Sequence, residues 1–532
     1  MSEVNGQDLP PGWARAELSA IAKINPPLDR CILNDDVAVD FVPMRAVEPN
    51  GGGLLRPETS TYGAVKKGFT AFIPGDVIMA KITPCMENGK TCVVPELPGA
   101  ACFGSTEFHV VRAEEDIDAR WISNFLLQHS TRHTAQRQMM GGVGQMRVPT
   151  AFLESLRVPV PPAPEQQRIL ESTDELLSDL DAGVAALERV QAKLKHYRAA
   201  LLQAAVEGAL TAEWRAQHPV TEPASALLTR ILAERRRRWE EAQLQKFRET
   251  GKAPPKDWKA KYIEPVAPEK TEMPPLPEGW AVASMDAVTC RITSGSRDWQ
   301  QYYGRGSGTF VMAQNVRPGR LDMSYRQSVS PPASDSSCER SLVECDDLLV
   351  TIVGANTGDV CRVPEPLVEH YVCQSVALMR PVQHETGRFL DTYFNSPGGG
   401  QLHFRRYLYG AGRPHLSFDQ LKMTPVLLPP LAEQEAIVEV VEDQLSLIEH
   451  LEADLDAKLT SAHALRQSIL RHAFTGQLVP QHSKDEPATE LLKRIAAQRE
   501  ELARQAQAAK KTEPKASPKR AAKKIKAKHS HD

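Results

Sequence analysis

Two long stretches of the chain carry apolar residues at a mostly three-to-four-residue spacing. This spacing places the apolar side chains on one face of a helix and is typical of coiled coils. We predict two long helices, each extending roughly 60 Å at about 1.5 Å per residue. Because an apolar helix face is not stable in water, we expect the two helices to pack together, antiparallel, with a globular domain at each end of the resulting rod. The first stretch contains Ile169, Thr173, Leu176, Leu180, Leu187, Val190, Leu194, Tyr197 and Leu201, and the second contains Ile437, Val441, Leu445, Ile448, Leu451, Leu455, Leu459, Ala462, Leu465 and Ile469.

The two stretches are introduced by similar segments, VPVPPAPEQQRIL at 158–170 and TPVLLPPLAEQEAIV at 424–438. Each has prolines suited to a helix start and a first-turn glutamate, which the positive end of the helix dipole stabilises. Those glutamates, Glu165 and Glu433, are 268 residues apart. Near the same offset, LPPGWA recurs as LPEGWA, and GDVIMAKITPCMENGK aligns with CDDLLVTIVGANTGDV. We therefore predict an internal duplication with a period of about 268 residues.

The sequence outside the long helices mixes short apolar runs with turn residues. Runs such as FTAFIPGDVIMAKI and ACFGSTEFHVV precede the helical pattern WISNFLLQHSTRHTAQRQM. This mixture predicts an α+β protein with two globular α/β domains separated by a long antiparallel two-helix coiled coil. The predicted segments are a first globular domain (1–160), a central long-helix region (161–250), a Pro/Lys-rich linker (251–275), a second globular domain (276–428), a C-terminal long-helix region (429–505) and a disordered basic tail (506–532).

The composition is that of a multidomain globular protein, with 41% hydrophobic and 25% charged residues among 532. No apolar run approaches the roughly 20 residues that a membrane span needs, and the N-terminus carries no secretion signal, so we expect a cytoplasmic protein. Nine cysteines without a C-x-x-C pair favour reduced thiols. The formal charge of -3 conceals a basic end, because residues 510–532 carry nine Lys or Arg against two acids. This favours a solvated disordered segment, with loose nucleic-acid contact as an alternative.

The sequence contains no recognisable catalytic motif. The stretch INPPLD resembles the Asn-Pro-Pro-aromatic loop of adenine-N6 methyltransferases, but Leu28 occupies the aromatic position, so we expect Asn25 to end a strand or form a turn. A phosphate-binding P-loop, an H-E-x-x-H helix and a G-x-S-x-G elbow are all absent. His109 lies in an apolar run and is expected to pack within a strand, and Asp76 and its predicted counterpart Asp346 are interpreted as turn residues. We therefore predict a non-catalytic binding protein without a metal site.

Two GW-led α+β domains, each closed by an L/V-P-P-x-x-E-Q-x-x-I segment that opens a long helix, resemble the specificity subunits of type I restriction-modification enzymes. The resemblance covers nearly the whole chain, and its most specific part is the pair of segments Pro161-Pro162 with Glu165-Gln166 and Pro429-Pro430 with Glu433-Gln434. The stretch RRRRWEEAQLQKFRETGKAPPKDWKAKYIEP also resembles that family's central spacer. Only the tail after about residue 505 lies outside the pattern.

The resemblance implies a non-catalytic subunit whose two target-recognition domains each read one half of a split, asymmetric double-stranded DNA sequence. The helices would set the gap and dock two methyltransferase subunits, which bind S-adenosylmethionine and methylate adenine at N6. Restriction subunits, which use ATP and magnesium, would complete the assembly, and this chain itself would bind no cofactor. Because the two copies diverge most in their globular halves, we expect a target that is not a palindrome.

Sequence readout requires Arg, Lys, Asn or Gln at base edges, with further basic groups on phosphates. The loops GGVGQMR and YGAGRPH are favoured because glycine lets the backbone approach DNA closely. The candidate DNA-binding residues are Lys81, Lys90, Gln145, Arg147, Arg297, Asn315, Arg405, Arg406, Arg413 and His415. For subunit docking we predict the helix starts, Glu165, Gln166, Glu433 and Gln434, with the alternative that these are ordinary first-turn residues.

Two other functions remain open from the residues alone. A coiled-coil adaptor would use its globular ends to bind proteins, and it would show no sequence preference for duplex DNA. A fused adenine-N6 methyltransferase would bind S-adenosylmethionine by itself, but the sequence lacks the paired glycine loop and aromatic that such a cofactor site needs.

Overall fold

The computed structural model describes residues 9–27, 33–142, 144–270, 275–332, 335, 337–408 and 414–512. The chain divides into two compact units. Unit 1 comprises Met1–Ala186 and Lys458–Asp532, and unit 2 comprises Leu187–Ala457. Each unit therefore combines segments from both halves of the sequence. The boundaries predicted from the sequence remain a prediction, and they did not anticipate that residues near the C-terminus belong to the same unit as the N-terminal domain.

Both units contain short strands. The strands are β1 (Ala14–Glu17), β2 (Ala22–Ile24), β3 (Ala38–Val42), β4 (Glu58–Thr61), β5 (Thr70–Phe72), β6 (Val77–Ala80), β7 (Thr91–Val93), β8 (Cys102–Gly104), β9 (Phe108–Ala113), β10 (Arg157–Val160), β11 (Ala281–Ser284), β12 (Thr289–Ser294), β13 (Tyr303–Val311), β14 (Val316–Arg317), β15 (Arg320–Leu321), β16 (Gln327–Val329), β17 (Leu348–Thr351), β18 (Val360–Arg362), β19 (His370–Val372), β20 (Val376–Pro381) and β21 (Pro425–Leu428).

The helices range from single turns to two long rods. They are α1 (Leu18–Ile21), α2 (Tyr62–Val65), α3 (Ala119–Leu127), α4 (His129–Arg137), α5 (Thr150–Glu154), α6 (Ala163–Val206), α7 (Ala212–Gln217), α8 (Ala224–Glu249), α9 (Met285–Val288), α10 (Ser337–Ser341), α11 (His384–Asn395), α12 (Gly400–Leu408), α13 (Phe418–Met423), α14 (Leu431–Phe474) and α15 (Ala488–Thr512). The helix predicted over WISNFLLQHSTRHTAQRQM is two helices, α3 and α4, because Gln128 between them adopts an extended conformation.

The two units share a sheet framework. In unit 1 an antiparallel sheet has the strand order β2-β9-β6-β7, and in unit 2 the order is β12-β20-β17-β18. A second sheet follows in each unit, with order β4-β3-β8-β5 and β16-β13-β19 respectively, and each contains one parallel pair, β3 with β8 and β13 with β19. Two-stranded sheets, β1 with β10 and β11 with β21, link the start of each globular region to the strand before its long helix.

The central strands are covered on both faces. All four residues of β6, and all four of β17, are buried. In β6, Val77 and Met79 belong to the core that contains Trp121 of α3, whereas Ile78 belongs to the core beneath the second sheet. Because strand side chains alternate between faces, an uninterrupted apolar run is required wherever both faces are packed. The sequence pattern VIMA and LLVT satisfies this requirement.

A buried ion pair recurs beside each central strand. The Arg112 guanidinium donates to both carboxylate oxygens of Asp76, at 2.7 and 2.8 Å. In unit 2 the equivalent pair is Arg380 with Asp347, with both distances 2.8 Å. The sequence alignment that paired Asp76 with Asp346 was therefore wrong by one residue. Asp346 instead lies at a positive φ of 65° and pairs with a different arginine, Arg362, at the surface of the unit.

The predicted long helices are confirmed. α6 and α14 each contain 44 residues, and their starts are 268 residues apart. Within unit 2, Gln191 contacts Asp456 and Arg198 contacts Glu452, so residue numbers rise along one helix as they fall along the other, and the pair is antiparallel there. The apolar faces are not fully covered, however, because two helices share only one seam. Apolar side chains at least 40% exposed on these helices are Leu176, Val190, Tyr197, Leu447, Leu451 and Leu465.

The segment that follows each long helix returns to a GW-led domain start. In unit 2 the backbone N–H of Ala224, at the start of α8, donates to Gly279 O at 2.8 Å, and in unit 1 the N–H of Ala488, at the start of α15, donates to Gly12 O at 2.8 Å. The recurrence of EPA at both helix starts reflects this shared contact. α15 extends to Thr512, so the first residues of the predicted disordered tail are helical, and 513–532 lie outside the described residues.

Candidate nucleic-acid interface

The first glycine-rich loop of the sequence closes on itself in unit 1. Met140 and Arg147 exchange backbone hydrogen bonds at 2.9 and 2.8 Å, which pins the two ends of the loop together. The Arg147 guanidinium donates to both carboxylate oxygens of Glu107 at 2.8 Å, and this pair lowers the pKa of Glu107. Gln145, at the tip, is exposed. The loop thus presents a fixed arginine–carboxylate pair and a free amide at the surface.

A buried histidine holds the end of this loop. His109 is 3% exposed, its Nε2 donates to Val148 O at 2.8 Å, and its Nδ1 accepts from Asn25 Nδ2 at 3.2 Å. Burial lowers the pKa of His109, in keeping with a neutral ring that donates from one nitrogen and accepts at the other. The prediction of a packed strand histidine is confirmed, as is the turn at Asn25, which lies at a φ of 48° directly after β2.

The two predicted lysines of unit 1 differ in position. The backbone of Lys81 accepts from Val148 N at 2.9 Å and donates to Glu107 O at 2.8 Å, so Lys81 lies directly beside the loop. Lys90 instead donates its ammonium to Met44 O at 3.0 Å, and it is part of an internal contact. The structure therefore brings together Lys81, Gln145 and Arg147.

Unit 2 has a cleft at the corresponding place. Arg297, Gln374 and His415 line a cleft of about 510 Å³ together with Arg340. Arg297 Nε donates to Gln374 Oε1 at 2.5 Å. The backbone bridge of His415 with Val353 matches that of Arg147 with Ile82, so Arg147 and His415 occupy equivalent positions. Arg413 was the other predicted residue of this loop, and it lies outside the described residues.

Three other predicted residues of unit 2 do not line the cleft. Arg405 and Arg406 are exposed on α12, away from the cleft lining. Asn315 is 1% exposed, and its amide is fully engaged: Oδ1 accepts from Met312 N, and Nδ2 donates to two backbone carbonyls at 2.8 Å. In this structure Asn315 organises the turn before β14, and its contact with DNA stays a prediction.

The predicted docking residues at the second helix start lie inside unit 2. Glu433 is 1% exposed, and its carboxylate accepts from Thr211 Oγ1 at 2.7 Å, from Arg215 Nη2 at 2.8 Å and from Trp280 Nε1 at 2.9 Å. Gln434 is equally buried and donates to Pro429 O at 2.9 Å. These side chains fasten the helix to its own unit, which agrees with the alternative of ordinary first-turn residues, and their role in subunit docking stays a prediction.

The predicted docking residues at the first helix start are buried as well. Glu165 and Gln166 are 1% and 2% exposed, and Gln166 Oε1 accepts from Asp118 N at 2.8 Å. Glu165 differs from Glu433 because no guanidinium among the described residues hydrogen-bonds its Oε1. This oxygen and the nearby Trp13 Nε1 both lack a hydrogen bond of normal geometry among those residues. Burial raises the pKa of Glu165, against the opposing effects of Trp13 and Arg168.

Comparison with known proteins gives matches to one family. Residues 39–196 match the family model for the type I restriction modification DNA specificity domain. The chain is 26% identical over 509 residues to the type I restriction enzyme EcoEI specificity subunit of Escherichia coli, covering 86% of this chain and 82% of that one. It is 27% identical over 513 residues to the EcoAI specificity subunit of Escherichia coli, covering 86% and 81%. Over most of its length the chain is therefore similar to type I restriction-modification specificity subunits.

The fold agrees with this similarity. A solved structure described as "Structural basis underlying complex assembly and conformational transition of the type I R-M system" matches with a TM-score of 0.60 at 18% identity, covering 88% of this chain and all of that one. The curated relatives are named specificity subunits, which supports the predicted non-catalytic role. In the part of the chain that the structure describes, no helix is long and apolar enough to cross a membrane, and no group of three or more His, Cys, Asp or Glu side chains is arranged to hold a metal ion.

Two residues of the candidate interface, Glu107 and Gln374, were not predicted from the sequence. Both precede a buried strand, β9 and β20 respectively, and both contact a predicted arginine. Both residues stand just before an apolar run of the sequence, FHVV or VALM, and this position could have marked them as candidates. Their partnership with Arg147 and Arg297 was not visible in the sequence, because each contact joins residues at least 40 positions apart.

Proposed function

We propose that this chain is a specificity subunit that reads double-stranded DNA through its two globular domains, each recognising one half of a gapped, asymmetric target. The observation that carries the proposal is the equivalent placement of Arg147 and His415 on a shared sheet framework, because Arg147 bridges Ile82 and His415 bridges Val353. The side chains around the two bridges differ. Different donors and acceptors select different base pairs, so the two half-sites should differ in sequence.

The chemistry of the two surfaces suggests distinct modes of readout. The guanidinium of Arg147 donates through Nε and Nη2 to the two carboxylate oxygens of Glu107. This arginine–carboxylate pair suits contact with a cytosine amino group or with a phosphate. Arg297 donates to Gln374 through Nε, and this contact holds the side chain without using its terminal nitrogens. A guanidinium held in this way suits a bidentate contact with guanine O6 and N7.

The two long helices would set the gap between the half-sites and dock two methyltransferase subunits, with restriction subunits completing the assembly. Exposed apolar side chains on the helix pair support a docking role, since Val190, Tyr197, Leu447 and Leu451 are each more than 40% exposed within unit 2. Exposed apolar groups of this kind are typical of protein interfaces. S-adenosylmethionine, ATP and magnesium would be bound by the partner subunits.

The DNA-reading role is tested by combining Arg297→Ala with His415→Ala in the complex with methyltransferase subunits. Loss of a base contact should cost about 1–3 kcal/mol per contact in target affinity, and discrimination should relax at positions of one half-site only. Arg320→Ala, in an exposed arginine of the same unit, is the matched control and should leave selectivity unchanged. Unchanged affinity and selectivity in the double variant would remove this cleft from the interface.

A further inference from the structure

A second cavity of unit 2 lies at the opposite end of the β12–β20 strand pair from the cleft of Arg297. Ser294, the last residue of β12, lines the cleft of Arg297. The second cavity is lined instead by Arg291, near the start of β12, and by its cross-strand partner Arg380, near the end of β20. This cavity has a volume of about 400 Å³, and α8 and the segment around the turn Trp258–Lys261 complete its walls. We call it the basic groove.

The lining of the basic groove is strongly cationic. Six of its side chains are Arg or Lys and none is a carboxylate; the six are Arg235, Arg238, Lys246, Lys261, Arg291 and Arg380. The four arginines are held in place by carboxylates outside the lining, as Arg380 is by Asp347. Within the described ranges, Lys246 and Lys261 have no carboxylate partner, and both are exposed. The groove therefore offers two free ammonium groups beside fixed guanidinium groups.

The shape of the groove fits an extended segment. Arg235, Arg238, Ala242 and Lys246 follow one another at three-to-four-residue spacing, so they lie on one face of α8. From Arg235 to Lys246 this face runs about 16 Å at about 1.5 Å per residue. At about 3.3 Å per residue, an extended peptide of about five residues has the same length.

An apolar wall runs beside the charges. Ile263 lines the groove and is 80% exposed. Next to it, the rings of Trp239 and Tyr262 pack edge to face with their centroids 5.4 Å apart. A chain of phosphates has no apolar group to place against Ile263. A peptide that alternates carboxylates with an aliphatic side chain satisfies both the ammonium groups and this wall.

We propose that the basic groove is a docking site for an extended acidic peptide segment of a partner polypeptide. Its carboxylates pair with Lys246 and Lys261, and its apolar side chain covers Ile263. The proposal does not rest on DNA reading, because the groove and the candidate DNA cleft lie at opposite ends of the same two strands.

The test uses the full-length chain and a fluorescein-labelled probe peptide, Glu-Glu-Leu-Glu-Glu-Leu-Glu, with binding followed by fluorescence anisotropy. Charge reversal by Lys246→Glu with Lys261→Glu should weaken the Kd at least about tenfold. The matched control, Lys252→Glu with Lys256→Glu, reverses two exposed lysines of the neighbouring segment that do not line the groove, and it should change the Kd less than about twofold. Ile263→Ser should weaken the peptide about threefold without affecting inorganic triphosphate.

Each contrary outcome overturns the proposal. Equal weakening of peptide binding by the two double variants would mean that only the net charge of the chain matters. Failure of the peptide to bind the unaltered chain would exclude an acidic peptide as the ligand of the groove. Binding of inorganic triphosphate, but not of the peptide, with loss in Lys246→Glu/Lys261→Glu would make the groove a phosphate site. Loss of target-DNA binding in that variant would make it part of the DNA interface, whereas retention of DNA binding together with loss of the peptide supports the proposal.

Discussion

Neutralising the buried glutamate at the start of each long helix compares two sites that share a sequence motif but differ in their partners. Glu433 accepts hydrogen bonds from Thr211, Arg215 and Trp280, whereas no guanidinium among the described residues hydrogen-bonds Glu165 Oε1. At the positions 268 residues beyond Thr211 and Arg215, the chain has Val479 and Ser483. We therefore predict that Glu433→Gln strongly destabilises unit 2, and that Glu165→Gln does not destabilise unit 1.

The expected magnitudes follow from the surroundings of each carboxylate. Removing one partner of a buried ion pair costs about 3–5 kcal/mol, and the 18% exposure of Arg215 places Glu433→Gln at the lower end, about 3 kcal/mol. At about 2–4 °C per kcal/mol for a domain of this size, the Tm of unit 2 should fall by about 6–12 °C. Glu165→Gln replaces a desolvated charge by a neutral amide, so unit 1 should change by no more than about 1 kcal/mol, in the stabilising direction.

The pH dependence provides a second readout for Glu165. Because its pKa is raised in the folded chain, the folded state binds the proton first, and the carboxyl favours folding below its ordinary pKa of 4.5. This contribution is lost as the pH rises through the folded pKa. The stability difference between Glu165→Gln and the unaltered chain should therefore be largest at neutral pH and shrink as the pH approaches 4.5.

Hydrogen exchange with mass spectrometry, alongside calorimetry, separates the two units within one molecule. Peptides covering 276–288 and 429–441 report on the Glu433 site, and peptides covering 9–21 and 161–173 report on the Glu165 site. In each variant the other unit is the internal control. Equal losses of protection at the two sites, or a greater loss in Glu165→Gln, would refute the assignment of different partners.

Two further predictions concern residues whose roles the structure defines. Asp347→Ala removes the carboxylate paired with Arg380 and should lower the free energy of unfolding of unit 2 by about 3–5 kcal/mol in urea titrations. Asp346→Ala should lower it by about 1 kcal/mol or less. Equal losses in the two variants would support the original alignment of Asp76 with Asp346. Burial lowers the pKa of His109, so its contribution is present above its ordinary pKa of 6.5 and is lost as the pH falls below it. Protection of residues 144–149, corrected for the intrinsic exchange rate, should therefore fall between about pH 7.5 and 5.5, and pH-independent protection would contradict this role.

The sequence predicted those features of this chain that depend on local spacing. The apolar spacing and the proline pairs placed the long helices at 161 and 429, and the structure begins them at Ala163 and Leu431. Helix periodicity is a relation between residues three and four apart, so one sequence suffices to see it. The buried strands β6 and β17 were equally visible, since an uninterrupted apolar run between turn residues predicts a strand covered on both faces.

Features that depend on distant partners were not predictable in this way. A first-turn glutamate has the same local pattern whether it faces solvent or a buried arginine, and Arg215 is 218 positions from Glu433. Asn315 looks like an exposed amide until the backbone groups that satisfy it are known. Adjacent aspartates, Asp346 and Asp347, align equally well with Asp76, and only Arg380 across the sheet distinguishes them.

We propose that the two globular domains of this chain choose the two halves of a DNA target. Single-molecule mapping of N6-methyladenine in the host genome, with and without the gene, tests it most directly. We expect a gapped, asymmetric methylated motif that disappears in the deletion strain, and exchange of residues 9–160 for those of a relative should change only one half of it. A motif that persists unchanged in the deletion strain, or an exchange that alters both halves, would contradict the claim.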